Sequence, residues 1–465
     1  MRRLAVLCLL LLVAALDLEA QHIYVDTITV IGNKRTHGKI IFRELDFTIG
    51  DSISLLNLAQ VLERNRLQIL NARLFSNARM NIKTWDERTN RVGIEIEVNE
   101  SWYLYPIPIF ELADRNFNVW WVDQNRDLDR INLGIRFYHL NITGRGDLLK
   151  AVGQFGYTQK YELEYSLPSF NKAQTFGLKT NLFFSRNREV NYTTFNNKQE
   201  FERVSDDFLL RRLRGEFRLI YRPAIFFYHE AGIEIHSNRT TDFVSSELNP
   251  DFFLDGRQEQ QFLALRYALI YDRRDIKPYP LHGFYIKSVL RKDGLGFYDD
   301  RDALTLTTTY AQYFPITSRL NLEWILKAHI FFIREQQPYY NSRALGYGPD
   351  FLRGYELYVI DGLDFGYSQS SLRYELFDGE LQFGPYMPLK KLKVMPLRVY
   401  LSLNNDLGYT NDPYYQEGNP MTNRLLYGGG IGLDIITFYD KVTQIQFSVN
   451  HLGEKGLFLH HKFIF

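Results

Sequence analysis

The tetrapeptide Leu352-Arg353-Gly354-Tyr355 lies in the segment DFLRGYELYVIDG, residues 350–362, a long stretch between two strand-like runs. Apolar and aromatic neighbours surround Arg353 where a surface loop would carry polar ones, and a guanidinium taken out of water needs an anion. Its planar fork can set two hydrogen bonds on one carboxylate, which a lysine ammonium cannot reproduce. Gly354 would let the backbone turn closely beside it. Several acidic residues follow downstream, among them Glu375 in SLRYELF and Asp406 in LRVYLSLNNDLG. The chemistry this suggests is recognition, with no turnover. The chain has no Gly-x-Ser-x-Gly, His-Glu-x-x-His or Walker sequence. The glycine-rich YGGGIGLD, residues 427–434, misses the dinucleotide spacing. His460 and His461 are adjacent, so a strand would point them to opposite faces and deny them a shared metal ion. We therefore expect no enzyme, no catalytic residue, no metal and no cofactor.

Composition narrows the setting. Residues 1–20, MRRLAVLCLLLLVAALDLEA, combine two arginines, an apolar run and a small residue at Ala20. They read as a secretory signal peptide, too short to cross a bilayer as a helix. The single cysteine of the 465 residues, Cys8, falls inside it. The mature chain would then lack thiols, which excludes disulfides, thiolate metal sites and cysteine nucleophiles. A formal net charge of +1 offers no basic field for nucleic acid. Mean hydropathy is −0.28 and no later stretch suits a transmembrane helix, yet 15% of residues are aromatic. An outer-membrane barrel reconciles these values, because only every second residue of its strands meets lipid.

Two regions must position the arginine and its acids. Residues 21–100 read as strand, helix, helix, strand, strand: IYVDTITVIGN alternates, Thr36 caps a short helix, and a second helix runs through LLNLAQVLERNRLQILNARLF. A hairpin around residues 86–90 closes this small α+β unit. From Trp102 the period becomes two. In LNLEWILKAHI and VTQIQFSVN one face is apolar and the other polar, and LLRRLRGEFRL sets Arg212, Arg214, Glu216 and Arg218 on one side. A charged enclosed side is expected of a membrane barrel with a polar lumen. About sixteen such segments begin near residues 102, 131, 148, 161, 175, 208, 224, 260, 284, 303, 320, 365, 393, 425, 442 and 456. Their connections alternate between short turns such as GRGD, YRPA, FPITS and FYDK and long polar stretches near 187–206, 237–258 and 335–364. The fold expected is therefore mainly β: a 16-stranded antiparallel transmembrane β-barrel over residues 101–465, preceded by one small α+β domain. The arginine falls in the sixth long loop, about residues 334–363.

Several of these stretches resemble known families. VIGNKRT…IFREL…GD…LFSN resembles the signature of a POTRA domain, a periplasmic module of barrel-assembly proteins, present once. One POTRA domain, about sixteen strands and an Arg-Gly-aromatic sequence in the sixth loop are similar to the BamA/TamA superfamily of outer-membrane assembly factors, with Sam/Toc proteins and two-partner-secretion transporters alongside. YDRRDIKPYPLHG, with Asp275, Pro280 and Gly283, resembles the family's turn after the eighth strand, and the terminal Phe465 its recognition signal. The resemblance implies that the sixth loop folds into the lumen. Leu352, Arg353, Gly354 and Tyr355 would be its motif, and Glu375, Asp406 and Gly408 the receptor on the wall. Alternation agrees, since Leu372, Tyr374, Leu401 and Leu403 would face outward and Glu375 and Asp406 inward.

The first strand, SWYLYPIPIFEL, has Pro106 and Pro108 two residues apart, so one side of it loses two successive backbone donors. Proline belongs on strand edges. A kink on leaving the first domain would explain the pair. So would a weak seam against the last strand, with Phe463 and Phe465, which the superfamily is thought to open for substrates. The expectation is an ATP-independent factor of BamA/TamA type in the bacterial outer membrane, its POTRA domain in the periplasm. It would insert or translocate unfolded outer-membrane or secreted client proteins, with the lipid bilayer and periplasmic chaperones or accessory lipoproteins as further partners and no nucleic acid. The alternative is a passive, porin-like channel with a POTRA-like periplasmic unit.

Overall fold

The computed structural model describes residues 22–114, 117–204, 207–298, 300–384, 393–437 and 441–462. They belong to two compact units that divide between Ser101 and Trp102. Residues 1–20, Phe463 and Phe465 lie outside the described residues.

The first unit is built from β1 (His22–Ile31), α1 (Gly38–Phe42), β2 (Ser52–Ser54), α2 (Leu58–Asn71), β3 (Phe75–Asp86) and β4 (Arg91–Glu100). Its sheet runs β2-β1-β4-β3, with β1 parallel to β4 and the other pairs antiparallel. Alternation along β1 and β4 buries Ile23, Val25, Val92, Ile94, Ile96 and Val98, which share the core with Ile40, Ile41 and Ile69 of the helices. Thr36 does not cap α1. The residue before that helix is His37, which makes no side-chain cap, and the Thr36 N–H donates to Glu100 Oε1 at 2.7 Å. Thr36 thereby ties the helix entry to the end of β4. The sequence reading also lacked β2, three residues too short to show a period.

The second unit is one sixteen-stranded antiparallel sheet. Its strands are β5 (Leu104–Leu112), β6 (Ile131–Leu140), β7 (Leu148–Gly156), β8 (Thr158–Leu167) and β9 (Phe176–Asn187). After an outlying hairpin of β10 (Glu189–Phe195) and β11 (Lys198–Arg203), the sheet resumes with β12 (Leu210–Ala224), β13 (Phe227–Thr240), β14 (Glu259–Asp272), β15 (Gly283–Asp293), β16 (Ala303–Pro315) and β17 (Leu320–Phe331). A long loop containing β18 (Arg343–Leu345) and β19 (Ile360–Asp361) leads to β20 (Asp364–Gln382), β21 (Val394–Asn411), β22 (Leu425–Thr437), β23 (Lys441–Asn450) and β24 (Lys455–Lys462). Each strand pairs with the next in order, from β5 to β24. The strands begin within three residues of the expected positions.

Period-two patterning gives this sheet one apolar, exposed face and one polar, enclosed face. On β21, Leu401, Leu403 and Leu407 are exposed, whereas Tyr400, Ser402, Asn404 and Asp406 are buried. An enclosed polar face is tolerable only when its groups are hydrogen-bonded, and segments between the strands supply many of the partners. The β10–β11 hairpin was expected only as part of a long polar loop. It turns on Asn196 and Asn197, both at positive φ, as two-residue hairpin turns require. Asn197 then joins three loops: its N–H donates to Asn419 Oδ1 at 2.9 Å, its carbonyl accepts from Val359 N–H at 2.8 Å, and its Oδ1 accepts from Met421 N–H at 2.9 Å. Beneath the hairpin, Val190, Leu209, Val244, Phe252, Phe253 and Tyr339 form an apolar cluster. One end of the curled sheet is therefore covered by its loops.

Candidate functional site

The loop between β17 and β20 descends inside the sheet and carries the tetrapeptide to the wall. Arg353 is 7% exposed and Asp406 is fully buried. Arg353 Nε lies 2.9 Å and 3.0 Å from the two Asp406 oxygens, and Nη2 also donates to Oδ1. The Arg353 N–H adds a bond of 2.9 Å to Oδ2 of the same carboxylate. Nη1 donates to Ser371 Oγ at 2.8 Å and to Asn404 Oδ1, and Nη2 reaches the Ser370 carbonyl at 3.3 Å. Gln369 Nε2 donates to Asp406 Oδ2 and to the Phe351 carbonyl, both at 2.9 Å. A desolvated ion pair is stable only when its remaining donors and acceptors are satisfied, and these neighbours satisfy them.

The rest of the motif fits by close approach. Gly354 has φ +90°, and a Cβ there would meet the backbone of Val449 at 2.9 Å. The Gly354 carbonyl accepts from Asn450 Nδ2 at 3.0 Å, and its N–H donates to Glu356 Oε2 at 2.7 Å. Leu352 packs on Gly408, where a Cβ would lie 2.5 Å from its Cδ1. Gly428 of the glycine-rich run clears the Arg353 carbonyl, which a Cβ would approach to 2.2 Å. Tyr355 donates to the Tyr427 carbonyl at 3.0 Å and touches His451 Nδ1. Upstream, Lys327 Nζ holds both oxygens of Asp350 at 2.5 and 2.7 Å. Phe351 stacks on His460 of β24, with ring centroids 4.9 Å apart. The loop tip thus spans the wall from β17 to β24, beside a cavity of about 630 Å³ lined by residues including Glu323, Lys327, Gln444 and His460.

Glu375 is not a partner of Arg353. It accepts from the Tyr400 hydroxyl at 3.1 Å instead. Alternation gives the correct face, but Asp406 stands opposite Gln369 in the ladder and Glu375 opposite Tyr400. Six residues of strand separate the two rungs, about 20 Å. Ser371, Asn404 and Gln369 take the place given to Glu375.

A family model, the Omp85 superfamily domain, matches residues 141–437. The chain belongs to the Omp85 superfamily. No curated relative matches it. Among solved structures it is similar to BamA from Haemophilus ducreyi lacking POTRA domains 1–3, with 14% identity and a TM-score of 0.50 over 94% of this chain and 83% of that one. It is also similar to CdiB from Escherichia coli, with 12% identity and a TM-score of 0.55 over 94% and 75%. At these identities the likeness concerns the fold. Superfamily membership makes the second unit an outer-membrane β-barrel of the insertion and translocation class.

In this Omp85 barrel a second insert enters the lumen. The turn between β14 and β15 is ordered by Asp275, whose Oδ1 accepts from the N–H groups of Ile276 at 2.8 Å and Leu281 at 3.1 Å. Burial raises the Asp275 pKa against those hydrogen bonds. The turn delivers Tyr279, 3% exposed, onto Tyr400, and the Tyr279 hydroxyl donates to Asp434 Oδ2 at 2.8 Å. The Arg373 guanidinium lies 4.3 Å from the Tyr279 ring centroid, 2.6 Å from Glu323 and 3.2 Å from the Pro280 carbonyl. Sequence spacing gave no sign that this turn reaches the same wall as the arginine loop.

At the barrel's edge, the Leu140 N–H donates to the Tyr103 carbonyl and the Ala113 N–H to the Arg130 carbonyl, each at 2.7 Å. The β5–β6 register between these pairs is unbroken. Odd-numbered residues of β5 therefore direct their backbone groups to β6 and even-numbered ones to the opposite side. The ring nitrogens of Pro106 and Pro108 accordingly face away from β6. Among the described residues no ladder joins β5 to β24. The expected seam residues Phe463 and Phe465 lie outside the described residues.

Proposed function

We propose that this Omp85 protein inserts or translocates client proteins at the outer membrane in the manner of BamA/TamA factors, without ATP, by parting its barrel between β5 and β24. The observation that carries this reading is the donor-poor edge of β5. Two prolines remove successive N–H groups on the side turned away from β6, and an unmade backbone bond forgoes about 1 kcal/mol in water. In lipid an unpaired carbonyl costs more, so a strand with missing partners is the easiest place for a wall to open. The docked loop supports the same reading, because its tip rests on β24 through Phe351 and His460. We take residues 22–100 as a single periplasmic POTRA domain. Its strand β2 covers β1 only from His22 to Tyr24, leaving edge for a client strand to extend the sheet.

The test is to lock the seam. Cysteine pairs scanned between residues 110–118 and 455–459, including Asn118 with Leu457, should crosslink and block assembly of clients, with activity restored on reduction. The only native cysteine, Cys8, lies in the expected signal peptide. Full activity of the oxidised protein would rule out lateral opening. Depleting the protein and recording which outer-membrane proteins disappear would identify the clients.

A further inference from the structure

The segment after β5 carries an aromatic cluster that the proposed function leaves unused. Phe117 stacks on Trp121 with centroids 5.4 Å apart, and Trp120 lies 6.1 Å from Trp121. Phe117 is 53%, Trp121 44% and Val122 61% exposed. Polar contacts hold the cluster from behind. Trp120 Nε1 donates to the Asp127 carbonyl at 2.8 Å, the Arg126 guanidinium lies 4.0 Å from the Trp121 centroid, and Lys198 of the β10–β11 hairpin donates to Asp123 at 2.8 Å. Asn118 Nδ2 donates to the Leu457 carbonyl of β24 at 2.9 Å, across the open edge. That bond sets the segment beside β24, whose Leu457 and Leu459 are each 63% exposed, and Phe110 near the end of β5 is 75% exposed.

We propose that residues 117–122 form a lipid-seated foot that rests in the boundary between headgroups and acyl chains and pins the neighbouring end of β24 through Asn118. A tryptophan with an apolar body and a bonded N–H, as Trp120 has, suits this boundary better than water or hydrocarbon. Continuity with the outward apolar face argues for lipid as the occupant. The inference rests on the proposed membrane placement and deepens it: lipid held by the foot would bias the seam toward closure, so local bilayer composition would set how readily it parts.

A variant with Trp85, Trp102 and Trp324 replaced by phenylalanine leaves Trp120 and Trp121 as its only tryptophans. In phosphatidylcholine vesicles its emission should be blue-shifted, and quenched more by bromines near the headgroup than by bromines near the chain ends. Asn118→Ala in the full chain should leave the quenching in place. It should speed amide exchange over residues 455–459 about fivefold, the effect of losing one hydrogen bond. Unquenched, water-like emission would overturn the foot, and unchanged exchange in Asn118→Ala would overturn its hold on β24. A locked seam that still assembles clients would refute the proposed function without altering either readout.

Discussion

Replacing Arg353 by lysine keeps a positive charge beside Asp406 but cannot rebuild the fork or the bonds to Ser371, Asn404 and the Ser370 carbonyl. We predict that Arg353→Lys weakens loop docking by about 2 kcal/mol. Asp406→Asn, which strands a buried guanidinium, should cost about 3–5 kcal/mol. Glu375→Gln should change docking by less than about 0.5 kcal/mol, because Glu375 meets Tyr400 and not the arginine. Protease resistance of the loop in reconstituted protein would rank the three, and wild-type resistance in Arg353→Lys would contradict the fork as the source of docking. Arg353 stood out in the sequence because it lies in apolar company, and the family resemblance pointed to Asp406, which alternation turns inward. Alternation does not report height along a strand, and for that reason Glu375 was misassigned. Ser371, Asn404 and Gln369 were silent because polar side chains fill every lumen-facing register.

The loop itself carries a titratable weakness. Asp361 of β19 is 1% exposed, and burial raises its pKa to about 6 despite a hydrogen bond from Tyr347; Asp412 adds to the rise and Arg343 opposes it. Its unfolded value is about 4. The ordered loop therefore binds the proton more tightly than the released one. Protonation stabilises it below about pH 4, and that contribution, on the order of 3 kcal/mol, is lost as pH rises through about 6. Proteolysis of the loop should accelerate between pH 5 and pH 7.5, and Asp361→Asn should flatten the profile and protect the loop at neutral pH. An unchanged profile in that variant would exclude Asp361 as the titrating group. Strands were readable at this scale because period two persists over eight or more residues in each strand of the large sheet. The β10–β11 hairpin was not, since its strands of seven and six residues hold too few apolar positions to show a period, and Thr36 resembles a cap until Glu100 claims its N–H.

Two inserts share one wall of the barrel. The arginine loop meets Ser371, Asn404 and Asp406, and the β14–β15 turn meets Arg373, Tyr400 and Asp434, all on β20, β21 and β22. With both in place the lumen should conduct poorly in planar bilayers, and deleting residues 346–356 should raise conductance severalfold; a large steady conductance in the intact protein would favour a diffusion channel. The barrel and its loop lengths could be read from the sequence, but which connections turn inward could not, because that depends on partners far along the chain. Arg353 and Asp406 are 53 residues apart, and Tyr279 and Asp434 are 155 apart. Such separations impose a chronology on folding. Asp406 on β21 lacks its arginine and Asp434 on β22 lacks the Tyr279 hydroxyl until the loop and the turn have been threaded between the strands, and threading is simplest while the sheet is still open. During refolding, pulsed exchange should therefore protect residues 364–437 before 455–462, and the reverse order would disprove this sequence of events. The last strand would be the final one to settle in the newly made molecule, so opening the junction proposed to admit a client would repeat, in reverse, the last step of the protein's own birth.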